Sequence, residues 1–157
     1  MSVQDYDIIS DTPVETLGIR LDGDAIEEVV WLPGNECKDN PRHPLANRLK
    51  SDILYFLDKG VPLPEVKMNL YGSAFQLMVW RALQSIMVGD VMSYGQLAKR
   101  LNTGSRAIGQ ACRTNPVVLF IPCHRVVAAS GVGGYMGKKN RINIKSWLLE
   151  HERKYAG

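Results

Sequence analysis

Residues 93–114 read SYGQLAKRLNTGSRAIGQACRT and predict two short helices joined by a tight turn. Ser93 and Gln96 have the spacing of a capping box, in which each side chain bonds a free backbone N–H at the start of a helix. The turn contains Asn102 and Gly104, residue types that tolerate a sharp chain reversal. A short helix, a glycine-containing turn and a second short helix are together typical of a helix-turn-helix.

The second of these helices, residues 105–114, carries two contrasting faces. One face is apolar, and we expect it to pack on the core, so that Cys112 is interpreted as a structural cysteine. The opposite face carries two arginines among small and polar side chains: Arg106, Gly109, Gln110 and Arg113. Small residues let a helix backbone approach a DNA groove, and arginines neutralise phosphates, so this face favours DNA contact.

The formal charge changes sign along the chain. Residues 1–72 hold 7 Lys and Arg against 13 Asp and Glu, whereas residues 73–157 hold 12 against 3. The net charges, −6 and +9, predict two units, residues 1–71 and residues 72–157, of which the second faces a polyanion. A merely solvated basic surface would explain the charge alone equally well.

The composition argues against a membrane or secreted protein. No apolar stretch approaches the ~20 residues that cross a bilayer, and the acidic amino terminus has no signal-peptide pattern. We therefore expect a soluble cytoplasmic protein with no membrane partner. Its three cysteines, Cys37, Cys112 and Cys123, form no CxxC pair, so neither a disulfide framework nor a structural zinc site is expected.

The first unit is predicted to be a small α/β domain without a catalytic constellation. Three alternating apolar segments indicate an antiparallel meander near residues 6–9, 17–21 and 26–32. A hairpin turn at Asp22-Gly23-Asp24 joins the last two. A helix with one apolar face should follow from Leu45 to Leu57. His43 and Cys37 are interpreted as loop residues.

Two further segments flank the helix pair of the second unit. A helix capped by Ser73 should bury one apolar stripe, namely Phe75, Met78, Val79, Ala82, Leu83 and Ile86. The apolar run at residues 117–121 predicts a strand that delivers Cys123.

Residues 121–127 read IPCHRVV and place a cysteine beside a histidine and an arginine. A cysteine is a strong nucleophile only as thiolate, and a neighbouring cation or histidine lowers its pKa toward that form. The alternative is a buried structural cysteine, because a free cysteine packs as a small core hydrophobe. These residues alone favour the two interpretations equally.

Seven motifs, in order, give residues 72–152 a specific resemblance to one known family. They are Phe75-Gln76 with Val79-Trp80, Ser93-Tyr94 with Leu97-Ala98, Arg106-Ala107-Ile108-Gly109, Asn115-Pro116, Ile121-Pro122-Cys123-His124-Arg125-Val126, Gly134-Tyr135, and Trp147-Leu148-Leu149 with His151-Glu152. Together they resemble the O6-alkylguanine-DNA alkyltransferases, also called methylated-DNA–protein-cysteine methyltransferases. The amino-terminal unit is compatible with this family but carries no specific motif.

The resemblance implies a fold, a substrate and a reaction. The first unit would be a ribonuclease H-like sheet with a helix, and the second a mainly helical, winged helix-turn-helix-like domain. The partner would be double-stranded DNA containing O6-alkylguanine, with O4-alkylthymine as a second candidate lesion. The protein would flip the damaged base and transfer its alkyl group irreversibly to a cysteine. It would act as a monomer, with cooperativity on DNA left open, and would need no cofactor or metal.

The resemblance also implies catalytic roles for five residues. Cys123 would accept the alkyl group, His124 would take its proton through a water, and Glu152 would orient the imidazole. Tyr94 would donate a proton or a hydrogen bond to N3 of the guanine. Asn115 would stabilise the turn that positions the active-site segment.

Further residues would bind the DNA and the extruded base. Arg106 would fill the space of the flipped nucleotide, and five neighbours would contact the duplex: Ser93, Ala107, Gly109, Gln110 and Arg113. The backbone carbonyls of Cys123 and Val126 would read the exocyclic amine of guanine. The pocket would be lined by Val126, Gly134, Tyr135, Met136 and Trp147. Arg125 is expected to give structural or electrostatic support.

Some positions depart from the family pattern. Met136 stands where several relatives carry serine, and the stretch at residues 137–143 is longer than usual, which affects pocket closure. Two other classes of protein stay open as alternatives. A lesion-binding protein without activity would carry tryptophan in place of Cys123. A helix-turn-helix transcription regulator would leave Tyr94, the Pro-Cys-His-Arg run and Glu152 unexplained.

Overall fold

The computed structural model describes residues 6–32, 44–135 and 142–156. The predictions made for Cys37, His43, Met136 and residues 137–141 lie outside these ranges. The chain divides into two units, residues 1–70 with 116–118 and residues 71–115 with 119–157. No helix in the described ranges has the length and apolar character that spanning a membrane requires.

The first unit contains the predicted antiparallel meander and helix. Its strands β1 (Ile8–Ser10), β2 (Thr16–Asp22) and β3 (Ala25–Leu32) lie in that order in one sheet. The turn between β2 and β3 is confirmed, and Gly23 supplies its positive φ of 62°. Helix α1 (Pro44–Lys59) packs against β1 and buries its apolar face. The predicted pattern of three strands and a helix is therefore confirmed.

Residues 116–118 join the first unit instead of forming the predicted strand. The N–H of Val29 donates to the carbonyl of Pro116 at 2.9 Å, and the N–H of Val118 donates to the carbonyl of Val29 at 3.0 Å. The extended pairing stops there, because Leu119 has a φ of 73°, a left-handed conformation that a strand does not use. The prediction of a strand over residues 117–121 is wrong.

The second unit is mainly helical, as expected. It contains α2 (Ala74–Leu83), α3 (Tyr94–Arg100), α4 (Ser105–Arg113) and α5 (Ile142–Tyr155). Ser73 and Ser93 both form complete capping boxes, which confirms the two predicted helix starts. A short parallel pair, β4 (Met92–Ser93) with β5 (Val126–Val127), was not predicted.

The buried face of α2 differs from the predicted stripe. Met78 is 38% exposed, whereas Trp80, outside the stripe, is only 2% exposed. The indole can be buried because its Nε1–H donates to the carbonyl of Ala111 at 2.8 Å. This contact ties α2 to α4, and the core position assigned to Met78 is wrong.

Candidate active site

Cys123 begins a single 3₁₀ turn, Cys123–Arg125, that follows Pro122. The side chain of Asn115 donates to the carbonyl of Ile121 at 2.7 Å, and the N–H of Cys123 donates to the same carbonyl at 2.8 Å. Asn115 is itself buried. The pair of bonds holds the chain immediately before the thiol, so Asn115 contacts the segment that carries Cys123.

The Cys123 thiol is held in its protonated form. It is only 4% exposed, and burial raises its pKa to about 11. A hydrogen bond from Asn115 and the charge of Lys145 act in the opposite direction but do not outweigh the burial. The effects that lower this pKa come from Asn115, Lys145 and a backbone hydrogen bond, rather than from the adjacent His124 and Arg125 on which the expectation was based. A nucleophilic reaction at neutral pH would need a base that removes the thiol proton.

His124 has the arrangement of such a base. Its Nε2 lies 2.7 Å from Oε2 of Glu152, and both side chains are fully buried. Burial alone would raise the pKa of Glu152, but hydrogen bonds from His124 and Arg125 lower it to about 2. Because a carboxylate can only accept, the shared hydrogen belongs to Nε2.

The other ring nitrogen of His124 then carries a lone pair. Its Nδ1 is buried without a hydrogen-bond partner among the described residues. Burial lowers the pKa of His124, which keeps the imidazole neutral. A neutral histidine with hydrogen on Nε2 presents Nδ1 as a proton acceptor, which is the form that general-base chemistry requires.

Lys145 lies in the site although the sequence pattern did not predict it there. Its side chain is 0% exposed, and Nζ donates to the carbonyls of Val126 at 2.6 Å and Gly134 at 2.9 Å. Burial lowers its pKa to about 8. A lysine is normally expected at the surface, but Lys145, Leu148 and Glu152 recur at offsets 0, 3 and 7 on one face of α5. This spacing is the sequence feature from which the burial of Lys145 could have been predicted.

A cavity of about 290 Å³ brings together eight of the predicted site residues. They are Tyr94, Arg106, Gly109, Gln110, Arg113, Cys123, Gly134 and Tyr135. Cys112 also lines this cavity, although it was interpreted as purely structural. The thiol of Cys123 therefore shares its cavity with the arginine-bearing face of α4.

Tyr94 reaches the cavity from the start of α3. Its hydroxyl lies 3.5 Å from the carbonyl of Gly134 and 3.5 Å from Nζ of Lys145. Burial raises the pKa of Tyr94 to about 12, so the phenol keeps its proton at neutral pH. It can therefore serve as a hydrogen-bond donor to a bound base.

The polar face of α4 lies open, as predicted. Arg106, Gln110 and Arg113 are exposed, while Ile108 packs in the core. No neighbouring atom requires a glycine at position 109, since a Cβ placed there would meet nothing within 4 Å. The absence of a side chain at Gly109 lets a partner approach the helix backbone closely.

Besides the buried Asn115, His124 and Glu152, four predicted site residues in the described part of the chain do not line the cavity. Ser93 caps α3, and Ala107 is half-buried beside the polar face of α4. Val126 is buried, and its carbonyl is bound by Lys145. Trp147 stacks on His151, with ring centroids 4.8 Å apart, and lines a separate groove along α5. The predicted pocket role of Trp147 has no counterpart in this geometry.

The ionised Glu152 should make stability depend on pH. Its folded pKa of about 2 lies below its ordinary value of 4.5, so its contribution is complete above pH 4.5 and disappears as pH falls toward 2. We expect Glu152→Gln to lower the unfolding free energy by about 3 kcal/mol at pH 7, and by progressively less below pH 4.5. Denaturant unfolding at several pH values measures this, with the exposed Glu150→Gln as control. An equal loss at pH 3 and pH 7 would contradict it.

Comparison with known proteins identifies relatives over most of the chain. Residues 74–154 match the family model for the DNA-binding domain of 6-O-methylguanine DNA methyltransferase. A methylated-DNA–protein-cysteine methyltransferase of Saccharolobus islandicus is 43% identical over 121 residues, which cover 77% of this chain and 76% of the relative.

Solved structures match most of the chain. The O6-methylguanine methyltransferase of Mycobacterium tuberculosis superposes with a TM-score of 0.82 at 28% identity, covering 95% of this chain and 93% of that chain. The protein called OGT from the same organism, crystallised in complex with DNA, gives a TM-score of 0.80 at 30% identity, with 93% and 91% covered. These relatives share the α/β fold described above.

Proposed function

The chain belongs to the O6-methylguanine DNA methyltransferase family, a group of methylated-DNA–protein-cysteine methyltransferases, and we propose that it transfers the alkyl group of O6-alkylguanine in duplex DNA to its own Cys123. The observation that carries this proposal is the Cys123 thiol, which lines a cavity shared with the exposed arginines of α4. His124, the residue that follows Cys123, is buried and paired with Glu152.

The proton of the thiol is the first obstacle to the reaction. Because burial keeps Cys123 protonated, His124 takes the proton at Nδ1, through a bridging water, as the sulfur attacks. The S–C bond forms while the C–O6 bond breaks, and the electron pair of that bond passes to the guanine. Overall, the thiol proton replaces the alkyl group on the base, so atoms and charge balance without a cofactor.

Tyr94 assists the departure of the base. Its phenol stays protonated and lies at the cavity wall, where it donates a hydrogen bond to N3 of the guanine. A donor at N3 stabilises the negative charge that develops on the leaving base. The carbonyls of Cys123 and Val126 each already accept one hydrogen bond, from the N–H of Val126 and from Lys145. A carbonyl oxygen can accept two hydrogen bonds, and we propose that both carbonyls accept one from the exocyclic amine of guanine.

The thioether formed on Cys123 limits each protein molecule to the repair of one lesion. A thioether is not reversed by ordinary thiol chemistry, so Cys123 is consumed by a single transfer. The protein therefore acts stoichiometrically, and its repair capacity equals its copy number. We expect it to work as a monomer.

The DNA partner binds through the second unit. An O6-alkyl carbon lies within the stacked duplex, so it reaches Cys123 only after the nucleotide is flipped. Arg106 lies exposed at the rim of the cavity and fills the space that the nucleotide leaves. We assign the second unit, which contains the α3–turn–α4 segment, to a winged helix-turn-helix-like domain, and the first unit, which includes residues 116–118, to a ribonuclease H-like domain.

The direct test is methylation of the protein by damaged DNA. Incubation with a duplex containing O6-methylguanine should add one methyl group to the Cys123 peptide, as read by mass spectrometry, and restore guanine in the DNA. The same duplex with unmodified guanine is the control, and a third duplex with O4-methylthymine tests the second lesion. Folded protein that binds the lesion but leaves Cys123 unmodified would instead indicate a non-enzymatic lesion-binding protein or a regulator.

Replacement of Arg106 should slow repair of duplex DNA selectively. We expect Arg106→Ala to reduce transfer from duplex O6-methylguanine by roughly 10- to 100-fold, because the unpairing cost of a few kcal/mol is no longer offset. Transfer from the free O6-methylguanine base, which needs no flipping, should stay close to the wild-type rate. Arg100→Ala, which removes an exposed arginine from α3, is the control. An equal loss on both substrates would refute a role in flipping.

A further inference from the structure

Arg125 forms part of a buried cluster of three ionisable side chains. Its Nε donates to Oε1 of Glu152 at 2.8 Å, and its Nη2 donates to Oε2 at 2.9 Å. Oε2 is the same oxygen that lies 2.7 Å from Nε2 of His124. Nη1 donates to the carbonyl of Ile86 at 2.6 Å, just beyond the end of α2. All three guanidinium nitrogens are therefore engaged, two of them on one carboxylate.

These contacts determine the net charge around the imidazole of His124. Among the described residues, the charged groups that act on the imidazole are Glu152 and Lys145 from α5 and Arg125 from its own 3₁₀ turn; Cys123 precedes it in the chain. Glu152 alone would stabilise a protonated imidazole. Arg125 is paired with both oxygens of that carboxylate, so it neutralises the charge that would otherwise attract a second ring proton.

Loss of the guanidinium would leave a buried carboxylate facing His124 alone. An added proton could then bind the imidazole and make it a cation. It could instead bind the carboxyl group, which would donate to Nε2 and leave the ring hydrogen on Nδ1. Both states place a hydrogen on Nδ1. Both therefore remove the lone pair that is to accept the proton of the Cys123 thiol.

We propose that Arg125 is a positioning residue for the alkyl transfer: it holds Glu152 as the hydrogen-bond acceptor of His124 and so keeps Nδ1 of His124 available as the base. This inference rests on the function proposed above and adds to it a residue that the reaction scheme does not use directly. Arg125 contacts neither the thiol nor the base; it acts through Glu152.

The test compares Arg125→Gln with a matched exposed variant, Arg81→Gln on α2. Nitrogen-15 NMR of the His124 ring, assigned by loss of the signal in His124→Asn, reports which nitrogen carries hydrogen. At pH 7 the wild type and Arg81→Gln should show hydrogen on Nε2 alone. Arg125→Gln should show hydrogen on Nδ1, because the pKa of a basic group such as imidazole rises by about 1 to 3 pH units beside an uncompensated carboxylate.

The same variants should differ in the pH dependence of methyl transfer to Cys123. For Arg125→Gln the rate at pH 7 should fall about tenfold or more and should recover as the pH is raised, because deprotonation restores the base. In the double variant Arg125→Gln/Glu152→Gln both charges are absent, so the acid limb should return toward the wild-type position even though transfer stays slow. A purely structural role would lower the rate equally at every pH.

If Arg125→Gln does not fold, Arg125→Lys takes its place in the test. Lysine keeps the charge but cannot make two parallel bonds to one carboxylate. It should therefore give a smaller change of the same sign in the NMR spectrum. The inference is overturned if a folded Arg125 variant keeps hydrogen on Nε2 alone and an unchanged pH profile. Wild-type protein that fails to transfer a methyl group would overturn the proposed function instead, and the NMR result would still decide the role of Arg125.

Discussion

Cys123→Ser should abolish methyl transfer and leave binding to damaged duplex DNA intact. Serine occupies nearly the same buried volume, but its hydroxyl is far less acidic than a thiol and a much weaker nucleophile. We expect the rate of transfer to fall by about 10⁴-fold or more. Binding should persist because the exposed arginines of α4 are unchanged. Single-turnover transfer and fluorescence anisotropy with an O6-methylguanine duplex measure the two properties separately.

Cys112 provides the control for this prediction, because it is the other buried thiol that lines the cavity. Burial raises the pKa of Cys112 to about 12, so its thiol is less readily ionised than that of Cys123. Cys112→Ser should therefore still become methylated at Cys123. A methyl group found on Cys112, or transfer that survives in Cys123→Ser, would show that the nucleophile has been wrongly assigned.

The second large effect is expected for His124→Gln. Glutamine can still bond Glu152 but cannot accept the proton of the thiol, so transfer at pH 7 should fall by about 10²- to 10⁴-fold. The shape of the pH profile should also change. Without an internal base the reaction depends on the small fraction of thiolate, which increases about tenfold for each pH unit below the Cys123 pKa of about 11.

The wild-type profile should be different. The pKa of His124 is lowered, so the base is available at neutral pH, and the rate falls only when acid protonates the imidazole. Rates measured between pH 6 and 9 distinguish the two shapes. His151→Gln, on α5 outside the cavity, should follow the wild type. A flat profile for His124→Gln at the wild-type rate would exclude His124 as the base.

The parts of the fold that the sequence predicts well are those whose cause is local. The capping boxes of Ser73 and Ser93 depend on side chains three residues away, and both form as expected. The two faces of α4 follow from helical spacing alone, so Ile108 is buried and Arg106 exposed. Such features need no knowledge of distant residues.

The features that were missed depend on contacts between distant segments. The indole of Trp80 can be buried because the carbonyl of Ala111 accepts its N–H, and the residues near Trp80 in the sequence do not indicate that acceptor. Lys145 is buried because two carbonyls, of Val126 and Gly134, replace water around its ammonium group. Residue type alone places lysine at the surface, so only the assembled fold reveals this exception.

The candidate site shows the same division. Cys123 and its neighbours form a recognisable motif, and the resemblance to a family pointed to Glu152 and Tyr94. The motif could not show that Arg125 and His124 share one carboxylate, since their common partner lies on α5. Nor could it show that burial, more than neighbouring charge, sets the protonation of the thiol. Both depend on the environment that the whole unit creates.

The pairing of Val29 with residues 116–118 has a consequence for synthesis of the protein on the ribosome. Val29 and Val117, which form an isolated parallel bridge, stand 88 positions apart in the chain. Residues 67–69 pair with β3 at Ile26, but the part of its edge around Val29 has no partner until α2, α3 and α4 have all been translated. Closing so long a loop is entropically costly, and it normally slows folding. A truncated product that ends before residue 116 would present this part of the β3 edge to other chains.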